Sequence, residues 1–326
     1  MTTPAPEPRT FDVLCMGRSC IDLYAHQMGV PITGVTSFDA YVGGCPTNVS
    51  VGLRRLGLRV ALLTAVGTDQ VGDFVIDFLT REGIDTTASP RLPDRRTSAA
   101  LVTIQPPETF ALTLYRDNCA DLGISIADVL RAPVADSRLL FVTGTALCGD
   151  PSRTATLFAA EAARRDGTVV VADIDYRAGL WPSFDVFGGN VRTLLRHADI
   201  TIGTSDEVRA AAGEATDEAA VQRLFAAGSP IVILKRGAEG AVIWRPDQAP
   251  VAVPPYHVEV VNVLGAGDSF ASGFIYGYLE GRSLEEAARM GNATGAIIVT
   301  RHGCANFMPT LDEVQTFVER QSTPVV

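Results

Sequence analysis

Residues 138–175 read RLLFVTGTALCGDPSRTATLFAAEAARRDGTVVVADID, a complete strand–helix–strand unit. RLLFVTG is short, apolar and rich in β-branched and aromatic residues, as a buried strand should be. Asp150-Pro151 then opens a helical segment that ends at Gly167. Proline fits the first turn of a helix, and glycine fits the residue just past its end. TVVVADID is the next buried strand. Two strands joined through a helix run parallel.

The same alternation extends in both directions. FDVLCMG (11–17) reads as the first strand and 46–56 as a helix, with Pro46 in its first turn and Gly57 after its end. RVALLTAVG reads as a strand and VGDFVIDFLTREG as a helix closed by Gly83. ADITIG and PIVILK are further strands. The spacing therefore predicts an α/β fold: a mostly parallel sheet in a three-layer α/β/α core. Two segments break the rule. Residues 23–43 and 97–118 (SAALVTIQ, then TFALTLYRD) alternate like strands with no helix between, and read as a small β-sheet lid on the sheet edge. Ser283-Leu-Glu-Glu286 and Thr310-Leu-Asp-Glu313 are capping boxes for two late helices. No internal repeat is present. One domain over 11–320 is expected, with a proline-rich, disordered tail at 1–10 and a short tail at 321–326.

Composition narrows the function. The chain has 326 residues, 47% hydrophobic and 20% charged, enough for one large core. Its apolar runs fall short of the roughly 20 residues a membrane span needs, so no membrane association is expected. A net charge of -10 disfavours nucleic-acid partners. Six cysteines (15, 20, 45, 119, 148, 304) form no C-x-x-C pair and the four histidines are scattered, which disfavours a zinc site and suits reduced thiols in the cytoplasm.

Open α/β sheets bind ligands beyond the carboxyl ends of their strands. Asp22, Asp173, Asp175, Arg177, Glu207, Lys235 and Arg236 all follow predicted strands. No P-loop motif occurs, and no G-x-G-x-x-G follows the first strand. The informative stretch is Asn262-Val-Leu-Gly-Ala-Gly-Asp-Ser-Phe270, which opens a helix. Small residues at a helix start make a cradle for an anion. Asp268 puts a negative charge beside it. Either Asp268 is a first-turn acid stabilised by the helix dipole, or it is a base that takes a proton from a hydroxyl attacking a phosphoryl group. A helix terminus is worth about 0.3–2 kcal/mol to a nearby charge. Catalysis commonly needs about 8 kcal/mol or more, so Mg²⁺ and positioned cations must add to it. Tyr41-Val-Gly-Gly-Cys-Pro-Thr-Asn48 also has two readings. Gly43 and Gly44 either end a lid strand, or let a polyhydroxylated ligand reach the backbone with Asn48 binding its hydroxyls.

Together, GGCPTNVSVGLRRLGLRV and the late GAGD resemble the two signatures of the ribokinase / phosphofructokinase-B family of sugar kinases, and the similarity runs in order from about residue 11 to 310. The resemblance implies ATP and Mg²⁺ as cofactors. It implies Asp268 as catalytic base, Gly265, Ala266 and Gly267 as anion hole, and Asp22, Gly43, Gly44 and Asn48 as sugar contacts. It implies Glu207 as a helper for Mg²⁺ and phosphate, the segment Lys235-Arg236-Gly237 to Gly240 along the nucleotide, Thr204 near it, and Asn292 beside the adenine. Homodimers are common in the family. MGRSCIDLY, TLYRDNCAD, DIDYR and IGTSDE resemble a branch that phosphorylates a keto sugar acid at its C6 hydroxyl. Other acceptors open to the family are 2-keto-3-deoxygluconate, fructose and ribose; a ligand sensor without turnover would not need Asp268.

Two departures stand out. The usual D-T-x-G-A-G-D starts here with Asn262, where the family's Asp serves a monovalent cation, so activation by such a cation is open. The Asn of the family's N-x-x-E is Thr204, which makes Thr204-Ser-Asp-Glu207 a capping-box pattern. For a substrate carboxylate, a bidentate guanidinium is the natural partner. Arg18 and Arg116 are the candidates, although Arg116 could instead pair with Asp117 or Asp121. Arg177 could serve phosphate or carboxylate.

Overall fold

The computed structural model describes residues 9–105 and 109–322; most of the expected N-terminal tail and the last four residues lie outside them. In chain order the strands are β1 (Phe11–Met16), β2 (Cys20–Ala25), β3 (Phe38–Gly43), β4 (Val60–Leu63), β5 (Val66–Gly67), β6 (Arg91–Leu92), β7 (Ser98–Gln105), β8 (Thr109–Tyr115), β9 (Ser137–Thr143), β10 (Val169–Asp173), β11 (Ile200–Thr204), β12 (Val232–Lys235), β13 (Ala241–Trp244) and β14 (Val251–Val253). The large sheet has the order β14-β13-β12-β11-β10-β9-β1-β4. It is parallel from β4 through β12 and closes with antiparallel β13 and β14.

Why these strands are continuous apolar runs is visible in β1. Val13 and Cys15 enter one core, and Leu14 and Met16 enter the other. Both faces are covered, so residues 13–16 run apolar without a polar alternate. Helices α1 (Cys45–Arg55), α2 (Gln70–Arg81), α8 (Ala266–Leu279), α9 (Leu284–Ile298) and α10 (Leu311–Ser322) supply the first core. Helices α3 (Ile126–Arg131), α4 (Ser152–Arg165), α5 (Phe184–Leu195), α6 (Ser205–Ala212) and α7 (Asp217–Ala227) supply the second. The three layers follow.

The predicted strand RVALLTAVG is divided. The Ser89 hydroxyl accepts from Thr64 N–H (3.1 Å) and donates to the Leu62 carbonyl (2.7 Å), so the chain leaves the large sheet there. Val66 and Gly67 then pair with Arg91 and Leu92.

The smaller sheet has the order β3-β2-β7-β8. Its first strand begins at Cys20, directly after the turn at Gly17 (φ 138°). Asp22 therefore lies on this strand, not in a loop after β1.

Candidate active site

Gly265 starts α8 with φ 87°, a left-handed conformation that favours glycine. A β-carbon there would also lie 2.8 Å from the Cys304 sulfur, so a side chain is excluded twice. Asp268 follows in the first turn. Asn48, in the first turns of α1, donates from Nδ2 to Asp268 Oδ2 at 2.6 Å. The two helices can approach this closely because Gly52 of α1 lies on Ser272 of α8, where an added β-carbon would be 2.7 Å from the serine Cβ. Asn48 is buried and its Oδ1 has no partner. Asn48 thus orients the carboxylate while its own amide oxygen is left without a partner.

Around Asp268 the fold gathers Asp22, Arg177, Cys45 and Cys304. Burial pushes the Asp22 carboxyl above its usual range, against the pull of Arg18 and the Cys20 thiol. Gly43 and Gly44 serve this carboxylate and its neighbour. A β-carbon on Gly43 would overlap the Asp22 carboxylate, and one on Gly44 would overlap the Arg18 carbonyl. Their immediate neighbours are protein atoms, which gives both glycines a packing reason. Burial also pushes Cys45 and Cys304 up, so both stay thiols. Nothing in the sequence marked these cysteines as neighbours of Asp268.

A second group of cations lies behind Asp22. Arg18 is buried, donates from Nη1 to Cys20 Sγ (3.2 Å), and has no partner at Nε. Desolvation works against its charge, but the carboxylates of Asp22, Asp175 and Asp121 hold it on. Arg116 is buried beside it and pairs with Asp121, the salt-bridge alternative; its Nε and Nη1 and one Asp121 oxygen have no partner. Arg177 pairs with Asp175 at 3.0 Å and leaves Nε unpartnered. Asp175 is itself in the left-handed region (φ 38°) and accepts from Thr145 Oγ1 at 2.9 Å. Buried donors without partners are costly, so a site that keeps several is shaped for a ligand with acceptor oxygens.

On the other side of α8 lies a cleft of about 460 Å³, within the size range of cofactor sites. Thr204, Lys235, Gly237, Gly240, Gly267 and Asn292 line it, with apolar walls between. Asn292 keeps its place by donating to the carbonyls of Val253 (3.2 Å) and Pro254 (2.9 Å). Arg236 does not line the cleft; it is engaged by Asp217 of α7 at 3.0 Å. Thr204 and Glu207 form the reciprocal capping box of α6, with a second Glu207 bond from Tyr176 N–H (3.1 Å). Lys235 Nζ pairs with Asp173 Oδ2 at 2.9 Å. Burial, Glu207 and Asp175 push Asp173 up, and Lys235 opposes them. Among the described residues no cluster of three His, Cys, Asp or Glu side chains could hold a metal on its own.

Asp268, in the first turn of α8, thus has the buried arginines and Asp22 in its surroundings, and the start of the same helix lines the cleft. The chain is 34% identical over 97% of its length, and 98% of the relative's, to the 5-dehydro-2-deoxygluconokinase of Bacillus subtilis. It is 36% identical, over 97% and 98%, to the enzyme of that name from Shouchella clausii. Its structure matches a putative ribokinase II from E. coli in complex with ATP and Mg²⁺, with TM-score 0.86, 26% identity and coverage of 95% and 99%. Residues 10–311 match the model of the pfkB family carbohydrate kinases, and the chain belongs to that family.

Proposed function

We propose that this protein phosphorylates the C6 hydroxyl of 5-dehydro-2-deoxy-D-gluconate with ATP, a step of myo-inositol breakdown. The acceptor is the substrate named for its relatives over nearly the whole chain. The observation that carries the reading is the buried pair of guanidinium groups, Arg18 and Arg116, which keep three donors unpaired: Nε of one, Nε and Nη1 of the other. A neutral sugar would leave two guanidinium groups facing hydroxyls; a carboxylate matches them in charge and geometry. Arg177, whose charge interacts with that of Asp268, is assigned to the transferring phosphate.

In this reading Asn48 orients Asp268, and Asp268 accepts the proton of the acceptor hydroxyl. The N–H groups at the start of α8 receive negative charge that develops on the transferring group. The smaller sheet acts as a lid, with Asp22 binding sugar hydroxyls and water excluded from competing as acceptor. ATP fits the cleft lined by Gly237, Gly240 and Asn292. Mg²⁺ fits as an ion carried mainly by phosphates and water, with Glu207 as the protein carboxylate in reach, since no closed acidic cage is present among the described residues. When bound it neutralises phosphate charge.

The unpaired state of all six cysteines supports a reducing, cytoplasmic setting. Exposed Phe38 and Tyr115 on the smaller sheet support a homodimer formed there, which a monomeric mass by light scattering would exclude. The main test is an ATP-consumption assay over a panel of acceptors. The keto acid should give the highest kcat/KM; higher values for 2-keto-3-deoxygluconate, fructose or ribose would reassign the enzyme.

A further inference from the structure

Of the 27 basic residues in this chain, one is a lysine: Lys235. It sits at the end of β12, the next strand but one to β10, which carries Asp173. Its side chain is 12% exposed, and its ammonium nitrogen lies 2.9 Å from Asp173 Oδ2. It also lies against the glycine turn of α8: a β-carbon on Gly267 would be 3.0 Å from Nζ. The only lysine therefore stands between a buried carboxylate and the backbone of the anion cradle, and it lines the cleft.

We propose that Lys235 is a catalytic residue that receives charge of the transferring phosphoryl group at the Gly265–Gly267 turn, and that Asp173 is the positioning residue that holds it there. This rests on the kinase reading above. An ammonium is a compact point charge with rotatable donors, whereas a guanidinium is a wide planar fork. The space between Asp173 and Gly267 admits the first, in a chain that otherwise uses arginine everywhere. Glu207 sits near enough to act on the Lys235 charge, but its oxygens accept from Thr204 and Tyr176 N–H, so Asp173 is the direct partner. Asp173 is fixed in turn, because its Oδ1 accepts from Asp175 N–H at 3.2 Å. In the step itself the acceptor oxygen bonds to phosphorus while the bond to the leaving diphosphate breaks. The hydroxyl proton goes to Asp268, and Lys235 keeps all its protons.

A single lysine makes the test direct. Protein grown on ζ-¹⁵N-lysine carries one side-chain signal. Adding the ATP analogue AMP-PNP with Mg²⁺ should move that signal, and Asp173→Asn should displace it before any nucleotide is added. Lys235→Met and Lys235→Arg should both lose about 10²–10³ in kcat, with KM for ATP changing far less. Asp173→Asn should lose less, also in kcat. If Lys235→Met does not fold, the double variant Lys235→Met, Asp173→Asn removes both charges and carries the same expectation. Wild-type-like kcat in Lys235→Arg, or AMP-PNP binding by calorimetry with no movement of the signal, overturns the proposal and leaves the kinase reading intact. No AMP-PNP binding at all overturns both.

Discussion

Asn48 and Asp268, 220 residues apart in sequence, share a 2.6 Å hydrogen bond across the contact of α1 and α8. The bond holds one Asp268 oxygen in place, and the Cys45 thiol lies against the same carboxylate. Asp268→Asn keeps the shape of the site and removes the base. Turnover should then fall by about 10²–10⁴, the usual contribution of a general base. Sugar acid and nucleotide should still bind by calorimetry. Retained turnover would remove Asp268 from the mechanism.

Arg116 and Asp121 make a buried ion pair, yet Arg116 has donors to spare. Two substitutions separate its roles. Asp121→Ala strips the charge of its partner and should destabilise the fold by about 3–5 kcal/mol, as loss of one member of a buried pair does. Chemical denaturation measures it. Arg116→Ala should raise KM for a sugar acid far more than for a neutral sugar tested alongside. An equal rise for both acceptors would make Arg116 a purely structural residue.

The strand–helix alternation was legible because it depends on local periodicity, and GAGD because a helix start with small residues has a physical signature. What lay beyond reach were pairings across the fold. The sequence offers Arg116 two nearby acids, and only packing selects Asp121. Gly43 and Gly44 read equally as ligand contacts; their β-carbon neighbours turn out to be Asp22 and Arg18. Asp173 carries no motif, and its meaning comes from Lys235, 62 residues later. Arg236 sits beside Lys235 in the chain but alternates to Asp217.

Asn262 replaces a carboxylate with an amide, and its structure bears on the monovalent cation. Its Nδ2 donates to the His302 carbonyl (3.0 Å), and its Oδ1 accepts from Leu264 N–H (3.0 Å). An aspartate could do the second but would repel the carbonyl in the first. The amide thus ties the loop before α8 to residue 302 with no ion required. Initial rates in potassium chloride and in tetramethylammonium chloride at equal ionic strength should agree. A clear dependence on potassium would show that the tie does not replace the cation.

Asp69 links the smaller sheet to the core, and its behaviour with pH follows from that link. It caps α2 by accepting from Gly72 N–H (2.8 Å), and it accepts from Thr97 N–H (3.1 Å) and Thr97 Oγ1 (3.0 Å) at the start of β7. Burial raises its carboxyl, but these bonds outweigh burial and hold it below the ordinary value of 3.8. A depressed acid stabilises the fold above its unfolded value, and that contribution disappears as pH falls through the folded one. Asp69→Ala should therefore cost about 1–2 kcal/mol at neutral pH, at the upper end for a cap because the tie to Thr97 goes too. The gap in Tm between wild type and Asp69→Ala should narrow as pH is lowered below 3.8. A gap that stays constant into acid would show that the charge of Asp69 has no part in anchoring the sheet.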